Sequence, residues 1–63
     1  MNFSEYLMQI RLRKAQRMLR TTDKRIVDIA AQAGYPDQFY FSRLFKRATG
    51  MTPSEYRKQG GDA

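Results

Sequence analysis

The 63-residue chain contains no cysteine and no histidine. The first absence excludes a disulfide framework and a thiolate metal centre. The second leaves a zinc ion only carboxylates and carbonyls, a poor ligand set. Together they remove the commonest nucleophile and general-base pairings, so no catalytic residue, metal ligand or cofactor site is expected. Acidic residues are scarce too: six Asp and Glu stand against twelve Lys and Arg, a net charge of +6. In so small a chain that imbalance favours a polyanionic partner, nucleic acid first and an anionic membrane surface second. No apolar run approaches the roughly 20 residues that span a bilayer. Nor does the N-terminus carry the apolar stretch of a signal peptide, because Arg11, Arg13 and Lys14 interrupt it. A soluble intracellular protein with one small domain is the expectation. A domain of this size buries only about 60% of the surface its unfolded chain exposes.

What is present is helical patterning. Asn2-Phe3-Ser4-Glu5 reads as a helix start, with Asn2 as cap and Glu5 reaching back. No Gly or Pro follows up to Thr21, so the spacing predicts a long helix over 3–20. Its apolar residues divide into two sets. Phe3, Tyr6, Leu7 and Ile10 project to one side, while Met8, Leu12, Ala15 and Leu19 project to another. A helix apolar on two sides packs against two things. Thr21-Thr22-Asp23-Lys24 is a polar break, with Thr22 or Asp23 available as the next cap. Ile26, Ile29, Ala30 and Ala33 then line one face of a second helix. Gly34 suits a left-handed helix end and Asp37 the cap of a third helix. In that helix Phe41, Leu44, Phe45 and Ala48 share the core face. Thr49-Gly50 ends it, and Thr52-Pro53-Ser54-Glu55 restarts a short helix over 53–58, leaving 59–63 as a flexible, fraying tail. The fold expected is all-α with four helices. A long first helix packs on a helix-turn-helix unit at 24–47, and a short helix closes the chain.

The third helix, 37–47, carries the candidate site. Gln38, Phe39, Ser42, Arg43 and Lys46 fall away from the core face. Arg donates two hydrogen bonds to guanine N7 and O6, and Gln pairs similarly with adenine. Phe39 and the carbon stem of Arg43 suit a thymine methyl. Any amphipathic helix has a solvated outer face. The reading therefore rests on the Ala-rich helix, the glycine turn and the positive charge that accompany it. Phe39 is the odd member, since a large outward aromatic costs solubility unless something covers it. Phe41 and Phe45 read as core. Tyr40 stands at the boundary, its hydroxyl either reaching a phosphate or capping the core. Arg11, Arg13, Lys14, Arg17 and Arg20 make the first helix basic, either as a solvated face or with one or two phosphate contacts. Arg11 lies between the two apolar sides, where it is expected to anchor to a carboxylate, a helix C-terminus or a phosphate. Asp28 complements its helix dipole. Basic residues and helix N-termini are the groups expected to hold phosphates.

The chain also echoes itself. Met1-Asn2-Phe3-Ser4-Glu5-Tyr6 matches Met51-Thr52-Pro53-Ser54-Glu55-Tyr56 at Met, Ser, Glu and Tyr, fifty residues apart. A tandem duplication of such units would produce that echo.

Ile26-x-x-Ile29-Ala30-x-x-x-Gly34-Tyr35, Tyr40-Phe41-Ser42-Arg43-x-Phe45-Lys46 and Gly50-Met51-Thr52-Pro53-Ser54-Glu55-Tyr56-Arg57 follow one another in the chain. This combination resembles the C-terminal signature of AraC/XylS-type bacterial transcription regulators, over essentially residues 3–58. The resemblance implies two helix-turn-helix units joined by a long helix and reading successive major grooves. It makes Tyr6-Leu7-x-x-x-Arg11-Leu12-x-x-Ala15-x-x-Met18-Leu19 the joining helix and residues 24–47 the second unit. The first unit and any sensing domain would belong to a longer chain. Base contacts then fall on Gln38, Phe39, Ser42 and Arg43, and phosphate contacts on Tyr40, Lys46, Arg47 and Arg11. Double-stranded DNA is the implied partner, with RNA polymerase as a second and no membrane, in the bacterial cytoplasm at the nucleoid. Phe3, Tyr6, Leu7 and Ile10, lacking the first unit, would favour self-association. Two positions depart from the family's habit. Phe39 stands where a small or polar residue is frequent, and Arg25 where a capping Ser is frequent. The competing reading is a protein-interaction module that docks RNA polymerase or another regulator through the same face. Membrane-surface binding through the basic first helix is a third.

Overall fold

Most helix ends among the described residues fall where a particular side chain or glycine satisfies the backbone groups left over there. The computed structural model describes residues 2–61. Four helices follow in order: α1 (Phe3–Thr21), α2 (Ile26–Gln32), α3 (Gln38–Thr49) and α4 (Pro53–Gly61). No strand forms among the described residues. The fold is all-α, as the pattern of apolar residues requires.

At the start of α1 the Asn2 side-chain oxygen accepts the Glu5 N–H at 2.8 Å. The return bond from the Glu5 carboxylate is not formed among the described residues. Thr22 closes the helix, its hydroxyl donating to the Met18 carbonyl at 2.7 Å and its N–H reaching the same oxygen at 3.0 Å. That use of Thr22 overturns its expected role as cap of α2, and Asp23 does not take the role either. The N-cap of α2 is Arg25, which makes no capping bond with its side chain. Its guanidinium pairs instead with Asp28 at 3.3 Å.

Gly34 ends α2 with φ at +102°. The Tyr35 N–H reaches back to the Ala30 carbonyl at 2.8 Å and the Gly34 N–H to that of Ala31 at 3.1 Å. This crossed pair is the Schellman closure that a left-handed residue permits. Asp37 then caps α3, its carboxylate accepting from the N–H groups of Phe39 at 2.9 Å and Tyr40 at 3.3 Å. α3 ends at the expected Thr49-Gly50 stop, where the φ of Gly50 is +86°, and so runs two residues beyond the 37–47 stretch that carries the candidate site. At α4 the capping box is reciprocal. The Thr52 N–H donates to Glu55 Oε1 at 2.9 Å and the Glu55 N–H to the Thr52 hydroxyl at 3.2 Å. The helix runs to Gly61, beyond the expected end at Lys58. Glycine weakens a helix by about 1 kcal/mol without barring it, and Tyr56 and Arg57 anchor the turn before. Of the tail expected at 59–63, Asp62 and Ala63 lie outside the described residues.

The core joins Leu12, Ala15 and Leu19 of α1 to Ile29, Ala30 and Ala33 of α2, Tyr35 of the turn, and Phe41 and Phe45 of α3. The fully buried alanines let α1 and α2 approach closely. Met8, Met18, Ile26, Leu44 and Tyr56 pack around this centre. Ala48, expected on the core face of α3, is exposed. Phe41 and Phe45 fill the interior, and Ala48 is left lining an open groove beside Met8 and Gln9 of α1.

Arg57 supplies a long-range tie that the sequence did not reveal. Its Nε donates to the Leu19 carbonyl at 3.2 Å and its Nη2 to that of Thr22 at 3.1 Å. These bonds satisfy leftover carbonyls at the end of α1 and hold α4 against it. No described helix is long and apolar enough to cross a membrane.

Candidate nucleic-acid interface

The orientation of α3 is set by what it buries. Phe41 and Phe45 lie one turn apart and are fully covered, so residues half a turn away must point outward. Phe39, Arg43 and Lys46 follow at i, i+4 and i+7 and form that outward row. All three are exposed, and Phe39 keeps 70% of its surface open. Gln38 and Ser42, also one turn apart, are half-buried along one edge of the row. Tyr40 and Arg47 border the other edge. Among the described residues no hydrogen bond or ion pair engages the side chains of Gln38, Ser42, Arg43, Lys46 or Arg47. The ion pair that does form joins Arg25 to Asp28, on another helix.

A line of rings braces this face from behind. Tyr40 tilts against Tyr35 with centroids 6.2 Å apart, Tyr35 against Phe41 at 5.8 Å, and Phe41 against Phe45 at 5.7 Å. Tyr56 of α4 closes the line edge-on to Phe45 at 5.4 Å. Offset and edge-on rings of this kind gain more than their buried area alone supplies. Tyr40 is thus held at its base and remains 47% exposed at its rim.

Arg11 arrives at the same region from α1. Its guanidinium carbon lies 5.4 Å from the centre of the Tyr35 ring. A side chain at Gly34 would bring a Cβ within 3.1 Å of the Arg11 Nε. Of the anchors expected for Arg11, the helix C-terminus comes nearest, since Gly34 follows the last turn of α2. It forms no ion pair with a carboxylate among the described residues. The aromatic face of Tyr35 is the contact the sequence reading lacked, although Arg over Tyr is a familiar pairing.

At the start of α3 the Asp37 carboxylate occupies two N–H groups, so at this helix end a phosphate would have to be held by side chains. The Glu55 carboxyl of α4 lies below its usual range, chiefly because it accepts the Thr52 backbone N–H. Nearby Lys46 adds a smaller push in the same direction.

The outward face of α1 changes character along its length. In the first half Phe3, Tyr6 and Ile10 are 77%, 55% and 44% exposed, with Leu7 half-buried beside them. In the second half Arg13, Lys14, Arg17 and Arg20 line a shallow basic groove. Among the described residues no cluster of three or more acidic side chains comes together that would hold a metal ion.

The chain matches the family described as "Helix-turn-helix domain" over residues 1–59. It is 51% identical over 59 residues to the HTH-type transcriptional activator RhaR of Yersinia pseudotuberculosis. That alignment covers 94% of this chain and 20% of the relative, so the chain spans about one fifth of the length of the curated relatives it matches. Among solved structures, the C-terminal domain of AraT, a response regulator from Geobacillus stearothermophilus, superposes with a TM-score of 0.91 at 41% identity. The superposition covers 94% of this chain and 49% of that one. A DNA-binding transcriptional dual regulator from Escherichia coli K-12 gives 0.94 at 27% identity, covering 100% and 57%.

Proposed function

Since the chain belongs to the helix-turn-helix domain family of AraC-type DNA-binding transcription regulators, we propose that it reads duplex DNA with α3 in the major groove, as one part of a longer regulator. The observation that carries this reading is the outward row of α3, where exposed cations stand without internal partners on a braced, rigid helix. A helix is about 10–12 Å across with its side chains, and the major groove is about 12 Å wide. With α3 seated there, Gln38, Phe39, Ser42 and Arg43 meet base edges. Tyr40, Lys46 and Arg47 meet the flanking phosphates, and Arg11 reaches a phosphate from α1, beside the Gly34 turn. Arg43 takes the bidentate guanine contact, for which its guanidinium fork is shaped. The proposed role is binding and not catalysis, and its setting is the bacterial cytoplasm, where the chromosome lies.

The echo between the two ends of the chain bears on what covers α1. Ser54-Glu55-Tyr56 seats Tyr56 against Phe45, whereas Ser4-Glu5-Tyr6 leaves Tyr6 mostly open. A preceding helix-turn-helix unit in the longer chain supplies the equivalent cover for Phe3, Tyr6, Leu7 and Ile10. Without it, the same face drives two copies of the chain together.

Selection from a random-sequence duplex pool tests the main reading. Enrichment of one short sequence supports it. A pool left as random as it began, from a chain that still captures protein, would move the reading to a protein-docking module.

A further inference from the structure

We infer that Phe39 makes this face a reader of the pyrimidine C5 methyl group, accepting thymine and, through the same methyl, 5-methylcytosine, and disfavouring the other bases at that position. The inference rests on the DNA-reading role proposed above and specifies one of its contacts. Phe39 is the second residue of α3, beside Gln38 and one turn from Arg43. It keeps 70% of its surface open and takes no part in the line of rings from Tyr40 to Tyr56. Nothing in the fold therefore uses this ring, and exposing it costs solubility.

The chemistry of the groove decides what such a ring can face. Guanine, adenine and unmodified cytosine present acceptors and donors there, and the one apolar group on any natural unmodified base is the thymine methyl. Phenylalanine offers no hydrogen-bonding group to those edges. A ring laid over purine N7 or cytosine N4 strips water from it and gives nothing back, which is unfavourable for a buried polar atom. Laid against a methyl group, the ring removes apolar surface from water on both sides. Methylation of cytosine places the same carbon at the same ring position. Gln38, Ser42 and Arg43, one or one turn away, remain free to hydrogen-bond the neighbouring pairs.

The test uses the sequence that the chain selects from the random pool, with each thymine changed singly to deoxyuridine. Deoxyuridine keeps every hydrogen bond and removes only the methyl. Affinity should fall about three- to tenfold at one thymine, or at two neighbouring ones, the size expected for one buried carbon. Elsewhere the change should be tolerated. Placing cytosine at that position should weaken binding, and 5-methylcytosine should recover part of the loss. Phe39→Ala should bind the thymine and deoxyuridine duplexes equally, whereas Phe39→Leu keeps part of the discrimination. Thermal unfolding of both variants should match the parent, since the ring is outside the core. Tolerance of deoxyuridine at every position would overturn the inference while leaving DNA reading intact. So would a Phe39→Ala variant with the parent's sensitivity. Failure to enrich any sequence would remove the DNA reading itself, and this inference with it.

Discussion

At the scale of single residues, side chains proposed to read bases and side chains proposed to hold phosphates should respond differently to substitution. Arg43→Ala should cost about 1–3 kcal/mol on the selected duplex and relax the preference at one base pair. Equal losses on selected and scrambled duplexes would instead make Arg43 a phosphate contact. Two glycines give a paired test of how the turn is held. Gly34 and Gly50 both have positive φ, but only at Gly34 would an added Cβ meet a neighbour, the Arg11 side chain at 3.1 Å. Gly50→Ala should therefore cost the left-handed strain alone, about 1–2 kcal/mol. Gly34→Ala should cost somewhat more in thermal unfolding, because the Arg11 side chain must also give way by a few tenths of an ångström. The spacing of Phe41 and Phe45 was enough to place both in the core. The roles of Arg57 and Tyr35 were not legible, because each partner lies far away in sequence, Leu19 for Arg57 and Arg11 for Tyr35. Spacing rules speak only to neighbours within a turn or two.

At the scale of elements, the helix ends were legible where the stop signal is local and obscure where two helices compete for one residue. Gly34, Asp37, Gly50 and the Thr52–Glu55 box sit where their chemistry requires. Thr22, available along with Asp23 as the cap of α2, is spent on the end of α1, since a threonine hydroxyl serves either role and only the packing decides. Two predictions belong here. Arg57→Ala removes both bonds to the carbonyls ending α1. It should destabilise the fold by about 1–3 kcal/mol in denaturant unfolding, because those acceptors lose a charged donor. The second concerns acid. The Glu55 carboxyl is held below its ordinary value by the Thr52 N–H. Its contribution to α4 is fully present above the unfolded carboxylate value, about 4.3. It is lost as pH falls through the lower folded value. Protection of the Glu55 amide and its neighbours, relative to the intrinsic exchange rate at each pH, should fall only in that acid range, and Glu55→Gln should largely abolish the dependence.

At the scale of the whole molecule, charge is expected to set affinity for DNA and the bare half of α1 to set association state. If Arg11, Lys46 and Arg47 each meet a phosphate, the logarithm of the binding constant should fall with that of salt at a slope of about −3. Arg47→Ala should then lower that slope by about 1 on any duplex. The exposed Phe3, Tyr6 and Ile10 should give concentration-dependent association in sedimentation, and Tyr6→Ser with Ile10→Ser should suppress it without unfolding the core. A clean monomer at high concentration would contradict that account of α1. The central claim, that the outward face of α3 reads DNA, is tested most directly by amide NMR shifts during titration with mixed-sequence duplex at low and moderate salt. Shifts concentrated on residues 38–47 and fading as salt rises are the predicted result. No shifts at low salt, or shifts confined to the basic stretch of α1, would contradict it.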